Sequence, residues 1–166
     1  MDAAIGSTQF RQVFACLPTA VAVVTTKDGQ GLPRGITTNT VAAVSQNPPM
    51  LSVCLDRGSA TLAAIRDRGR FAVNFLAETG AGISQVFAQK APDKFSLIRQ
   101  PWTDAGGGPV FADDVVAHAE CFVHSEIEMG DHSIIVGVVS GGSTHERAPL
   151  MYYRRQYSSW QIDRDL

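Results

Sequence analysis

Cysteine is scarce in this chain of 166 residues: Cys16, Cys54 and Cys121 stand far apart and are odd in number. Their neighbours are mostly apolar, which suits buried reduced thiols, and the spacing excludes a CxxC zinc or redox motif. Charge is thin as well. Charged residues make up 18% and the formal net charge is −2, with no basic run to attract nucleic acid. No apolar stretch approaches the roughly 20 residues that cross a bilayer, and no charged leader precedes an apolar run of signal length. The chain therefore reads as cytoplasmic, with neither membrane nor nucleic acid as a partner. Nucleotide fingerprints are missing too: there is no GxGxxG and no GxxxxGK[ST]. The four histidines lack metal spacing; His118 and His124, six apart on a strand, stand about 20 Å from each other and cannot share an ion.

Hydrophobic residues are abundant at 45%, enough to fill the core of one domain over residues 1–166. No internal repeat is present. Phe10, Val13, Phe14 and Leu17 recur at helical spacing, with Ser7 a possible N-cap and Pro18 a stop. Ala20 to Thr26 is too short and too rich in valine for a helix and predicts a strand, ended by Lys27-Asp28-Gly29. Residues 34–45 and Met50 to Leu55 predict further strands around the break at Asn47-Pro48-Pro49. Ser59 to Arg68 predicts a short helix closed by Gly69, with Leu62 and Ile65 inward. Phe71 to Leu76 is a strand, and Ile83, Val86 and Phe87 share one face of another short helix.

Residues 89–109 form the longest irregular stretch, a length that in a compact domain usually marks a functional loop or a cover. Val115 to Glu128 alternates, with Ala117, Ala119, Cys121, Val123 and Ile127 on one face and His118, Glu120, His124 and Glu126 on the other. Ile134 to Val139 is apolar on both faces. Leu150 to Tyr153 and Tyr157 to Ile162 predict a closing hairpin. Six or seven strands with only short helices argue a closed or nearly closed β-barrel, with a sandwich as the alternative. Phe71 to Leu76 and Ile134 to Val139 lack a polar face and need a cover, which a homodimer would supply.

Chemistry-bearing residues cluster in two places. Thr37, Thr38, Asn39 and Thr40, then Ser45, offer small hydroxyl and amide groups beside Gly35, suited to a polyol, a ring edge or a phosphate. A threonine-rich strand explains the same run without a ligand. Ser59 and Thr61 open a helix, whose exposed N–H groups and dipole favour an anion. Simple capping by Ser59 explains them equally well. Gly130-Asp131-His132 reads as a turn that leaves His132 at a strand end.

In order along the chain stand Phe10-Arg11; Pro18 to Thr26; Gly35-Ile36-Thr37-Thr38-Asn39-Thr40; Val44-Ser45 before Pro48-Pro49; Cys54-Leu55-Asp56 before Ser59; Phe71-Ala72-Val73-Asn74; Phe87-Ala88; Asp93-Lys94-Phe95; Gly130-Asp131-His132; and Pro149-Leu150 with Tyr152-Tyr153. Each piece is weak, but this ordered set, over roughly residues 10–160, resembles the flavin reductase family. The members are small reductase components of two-component flavin monooxygenases. Ala20, Asn39 and Gln46-Asn47 depart from the usual pattern, and the last pair bears on how the flavin lies.

The resemblance implies a mainly β fold, a six-stranded split β-barrel of the Greek-key, FMN-binding type with a few short helices, usually homodimeric. It implies FMN or FAD, with NADH or NADPH as hydride donor, and a separate flavin-dependent monooxygenase that receives the reduced flavin. Thr37 to Thr40 would line the ring and ribityl chain, and Ser45, Cys54, Leu55 and Asp56 would lie against ring or tail. Ser59 and Thr61 would hold the phosphate. Asn74 and Phe75 would present backbone groups to the ring edge. Phe87, Lys94 and Phe95 would close the pocket. His132 would orient the nicotinamide, with Tyr152 and Tyr157 as further nicotinamide-binding candidates. The alternative is a flavin-binding electron-transfer protein of the same barrel without robust NAD(P)H activity.

Overall fold

Runs of valine, threonine and phenylalanine between glycine- and proline-marked turns make strands the dominant element. The structure is a computed structural model and describes residues 4–160. The helices are α1 (Ser7–Ala15), α2 (Ala60–Arg68) and α3 (Ala81–Phe87). The strands are β1 (Thr19–Ala20), β2 (Ala22–Lys27), β3 (Pro33–Thr38), β4 (Ala42–Gln46), β5 (Pro49–Asp56) and β6 (Arg70–Leu76). They continue with β7 (Thr103–Asp104), β8 (Pro109–Val110), β9 (Val115–Met129), β10 (His132–Thr144), β11 (Leu150–Tyr153) and β12 (Gln156–Ser159).

Seven strands form one antiparallel sheet in the order β3-β2-β6-β9-β10-β5-β4, with β3 and β4 as its edges. The 34–45 segment thus supplies both edges. A second sheet, β1-β11-β12, holds the closing hairpin, and β7 pairs with β8 inside the long loop. Ile162, expected in that hairpin, lies outside the described residues.

Two apolar clusters fill the interior. One packs α2, through Leu62 and Ile65, onto Val24, Val53, Leu55, Phe71, Val73 and Ile135. The other gathers Val23, Leu76, Ile83, Phe87, Phe95 and Phe111 beneath α3 and the long loop. As expected, Gly69 closes α2 in the left-handed conformation at φ 67°.

Several expectations need correction. Gly6, not Ser7, is the N-cap of α1, and it makes no side-chain cap bond. The apolar stripe of α1 is open: Phe10, Val13, Phe14 and Leu17 are all about half exposed. Cys16, just past that helix, is exposed and Cys54 half-buried, so only Cys121 is a buried thiol. Burial, with the charge of Glu120 beside it, pushes that thiol up to about 12. The alternation of β9 also breaks. Its pairing with β10 slips by one residue at His124, and a slip of one turns each later side chain to the opposite face. Ile127 therefore stands on the outer face, exposed.

The cover over β6 is internal. Gly107 lies against the backbone of Phe71 so closely that a Cβ there would meet the Phe71 carbonyl oxygen at 2.2 Å. The buried Asn74 amide fastens the same segment. Its Nδ2 donates toward the carbonyls of Val23 (3.2 Å) and Pro109 (3.2 Å) and toward Thr25 Oγ1 (3.1 Å), and its Oδ1 accepts from Phe111 N (3.1 Å). Removing it strands buried polar groups, each worth roughly 1–3 kcal/mol when unpaired. Asn74→Ala should cost about 3 kcal/mol in urea unfolding; a loss below about 1 kcal/mol would show that the segment is held elsewhere.

Candidate functional site

The turn from β5 into α2 is built by its own polar groups. Asp56 Oδ1 accepts from Gly58 N at 2.7 Å, and Ser59 N donates to the Asp56 carbonyl at 3.0 Å. Ser59 Oγ accepts from Leu62 N at 3.1 Å, so Ser59 is a true N-cap, and its carbonyl takes Ala63 N. That leaves the N–H groups of Ala60 and Thr61 without a protein partner among the described residues. They open onto a cleft of about 500 Å³.

The facing wall is β3, through Gly35, Ile36 and Thr37, and the roof is the segment from Ala88 to Phe95. Lys94 holds roof to wall. Its Nζ donates to the carbonyls of Gly35 (3.1 Å) and Phe87 (2.8 Å). It has no carboxylate partner among the described residues, and burial holds its ammonium below the ordinary lysine range. Arg34 is a second tie. It donates twice to Asp28 Oδ2 (2.9 and 2.8 Å) and through Nη1 to the Pro92 carbonyl (2.8 Å). That guanidinium holds the Asp28 carboxyl below its usual range.

Behind the roof, Phe87 and Phe95 meet edge to face at 4.9 Å, and Phe111 stacks at 6.0 Å from Phe95. Two free N–H groups at the positive end of a helix and an ammonium with no carboxylate partner among the described residues thus line one cleft, a charge pattern that favours an anion. Along β3, a hydroxyl group stands at the cleft wall. Thr37 lines the cleft while its Oγ1 donates to the Ser84 carbonyl at 2.7 Å, and Ser84 Oγ meets the Tyr157 hydroxyl at 2.8 Å.

Of the expected residues, Thr37, Asp56, Ser59, Thr61, Lys94 and Phe95 line this cleft. Thr38 and Thr40 sit beside it as supports. Thr40 Oγ1 accepts from Cys54 N (3.0 Å), lies 3.2 Å from the Cys54 carbonyl and 2.7 Å from Thr38 Oγ1. Asn39 is exposed and donates to Thr19 Oγ1, and Ser45 lies where the pairing of β4 with β5 slips. Leu55, Asn74 and Phe87 are buried core residues, and Asn74 and Phe75 are paired within the sheet on both sides. The amide of Asn74 is spent on internal bonds, so a ring-edge role falls to no free group there.

His132 stands opposite Asp56 in the register, exposed and outside the lining of the cleft. Asp131 Oδ1 accepts from its Nδ1 at 2.7 Å, which draws the Asp131 carboxyl below its usual range. Tyr152 and Tyr157 pack on each other at 5.4 Å and belong to the small sheet, not to the lining. Arg34, Gly35, Gly58 and the roof residues 88–92 were not among the expected site residues. At Gly35 the reason is packing: a Cβ there would lie 2.6 Å from the Phe87 ring.

The flavin reductase like domain model matches residues 14–161. The chain belongs to the flavin reductase family. It is 45% identical over 158 residues to a flavin reductase (NADH) from Kitasatospora aureofaciens, covering 94% of this chain and 83% of that protein. A reductase subunit of a flavin-dependent monooxygenase from Rhodococcus jostii (strain RHA1) is 36% identical over 97% of this chain and 82% of its own length. A solved NADH:FAD oxidoreductase from Streptomyces globisporus, in complex with NAD and FAD fragments, superposes with a TM-score of 0.87 at 29% identity. That match covers 98% of this chain and all of the other.

Proposed function

We propose that this chain is an NAD(P)H:flavin oxidoreductase that binds FMN or FAD in the cleft and hands the reduced flavin to a separate flavin-dependent monooxygenase. The observation that carries the reading is that the open N–H groups of Ala60 and Thr61 and the Lys94 ammonium, which has carbonyl acceptors but no carboxylate partner among the described residues, line one cleft. A flavin phosphate fits that set: it wants amide donors and a cation, and the cleft offers both. When bound, a flavin supplies the hydride-accepting chemistry. The chain's own residues bind and align. Thr37 supplies a hydroxyl-bearing wall, Phe95 an apolar cover that excludes water, and Lys94 the charge.

Asp131 fixes the imidazole of His132 through Nδ1, leaving Nε2 free to donate to or accept from a nicotinamide carboxamide at the rim. The role is positioning, not proton transfer. Relatives described as monooxygenase reductase subunits support delivery of reduced flavin to a second protein. The same reading takes the six-stranded split barrel as the parent fold. In its favour, Thr40 bridges from the end of β3 to the backbone of β5, across the gap between the two halves. A cytoplasmic location accords with that role, and no described helix is long and apolar enough to cross a membrane.

A homodimer completes the proposal. Directly opposed residues share a face, so the outer side of β9, β10 and β5 carries two apolar rows: Phe122, Val138 and Met50; then Ile127, Ile134 and Cys54. Val136 stands between them. Phe122 and Ile127 are exposed at 39% and 45%, an apolar patch that a second copy would cover. The next row holds His132 and Asp56, so the interface would adjoin the rim of the cleft.

Two outcomes follow. Purified protein should oxidise NADH or NADPH only when a flavin is added, and His132→Ala should raise the KM for the nicotinamide about tenfold with little change in flavin affinity. Absence of turnover with either nucleotide, or equal losses in both affinities, would contradict the assignment. In sedimentation equilibrium the wild type should be a dimer and Val136→Glu a monomer; a monomeric wild type would remove the proposed interface.

A further inference from the structure

The turn that presents His132 is short: Met129 and His132 pair, which leaves only Gly130 and Asp131 between β9 and β10. Gly130 supplies the positive φ, 61°, that so tight a loop needs. Both carbonyls of the turn are held from the link between β5 and α2. Arg57 N donates to the Asp131 carbonyl at 3.0 Å, and Arg57 Nη1 donates to the Gly130 carbonyl at 3.3 Å. Arg57 Nη2 meets Glu128 Oε2 at 2.9 Å, just before the turn begins. We propose that Arg57 is a positioning residue for the nicotinamide nucleotide, acting through His132. The inference rests on the reading of His132 as the group that orients the nicotinamide.

The placement of Arg57 favours this role over direct contact with a ligand in the cleft. Asp56, Gly58, Ser59, Ala60 and Thr61 all line the cleft, and Arg57 does not. Its side chain is spent on the hairpin instead. Asp56, its neighbour, is the register partner of His132. The link therefore has two duties. Its other residues shape the helix start, and Arg57 fixes the turn from which the imidazole projects. Asp131 completes the chain: Arg57 N holds its carbonyl, while its Oδ1 accepts from His132 Nδ1 at 2.7 Å. The imidazole is thus oriented by a residue that Arg57 itself holds.

A guanidinium suits the task because its fork reaches a carbonyl with one Nη and a carboxylate with the other. A lysine ammonium is a point charge on a flexible stem and fixes no such angle. α2 grips the same strand a second time. Arg66 donates through Nε and Nη2 to Glu126, and its Nη2 reaches Glu128 Oε1 at 3.3 Å. The hairpin therefore stays attached to α2 when the Arg57 side chain is removed, and only the hold on the turn is lost. Arg57 and Glu128 are 47% and 53% exposed, and a pair so open adds little to overall stability.

A double-mutant cycle separates positioning from bracing. The KM for NADH or NADPH, and the flavin Kd without nicotinamide nucleotide, are measured for wild type, Arg57→Ala, Arg57→Lys, His132→Ala and the Arg57→Ala/His132→Ala pair. Arg57→Ala should raise the KM about fivefold while the flavin Kd stays within about twofold. Arg57→Lys should fall between it and the wild type, since the charge remains without the fork. The double variant should match His132→Ala alone to within about twofold, because no imidazole is left to position. Losses that multiply in the double variant, an unchanged KM in Arg57→Ala, or a parallel loss of flavin affinity would overturn the inference and leave the role of His132 standing. A normal KM in His132→Ala would remove the reading of His132 itself, and this inference with it, whatever Arg57→Ala does.

Discussion

How closely the 87–95 segment approaches β3 sets the rest of the site. The Phe87 ring lies against the backbone of Gly35 where any side chain would collide, and Lys94 then reaches the carbonyls on both sides of the seam. An ammonium drawn partly out of water is costly unless hydrogen-bonded, and these two carbonyls offset that cost without neutralising the charge. The result is a cation held in place, with no counter-ion among the described residues, lining the same cleft as a helix N-terminus. Phe95 and Phe111 stiffen the roof from behind, and Asn74 anchors the 108–111 stretch that carries Phe111. Core packing and ligand chemistry are thus the same set of contacts seen from two sides.

Much of this was legible in the residues. Local signals carried α2 complete: Ser59 as cap, Leu62 and Ile65 inward, Gly69 as left-handed stop. The open helix start at Ala60 and Thr61 followed from the same pattern. The strands were recognisable from their β-branched runs. What could not be read was set by long-range pairing. A bulge at His124 is invisible in the alternation of β9, yet it moves Ile127 to the outer face. The helical stripe of α1 is well formed, but periodicity says only that a face is apolar, not that this chain buries it.

The site residues divide in the same way. Thr37, Ser59 and Lys94 reach the cleft because short-range geometry and the family pattern agree on them. Asn74 and Leu55 carry the family pattern for a different physical reason: one satisfies buried backbone groups, the other fills the core. Arg34 escaped notice because its role depends on Pro92, which is 58 residues away in sequence. A resemblance of order along the chain locates the neighbourhood of a site; only the fold separates the lining from its supports.

The central claim is that α2 and Lys94 together hold a flavin phosphate, and the comparison of FMN with riboflavin tests it most directly. Both share the ring and ribityl chain, and only FMN carries the phosphate. The wild type should bind FMN at least about tenfold more tightly than riboflavin, and Lys94→Met should bring the two affinities together by weakening FMN alone. Equal binding of both flavins by the wild type, or an equal loss for both in Lys94→Met, would contradict a phosphate at this helix start.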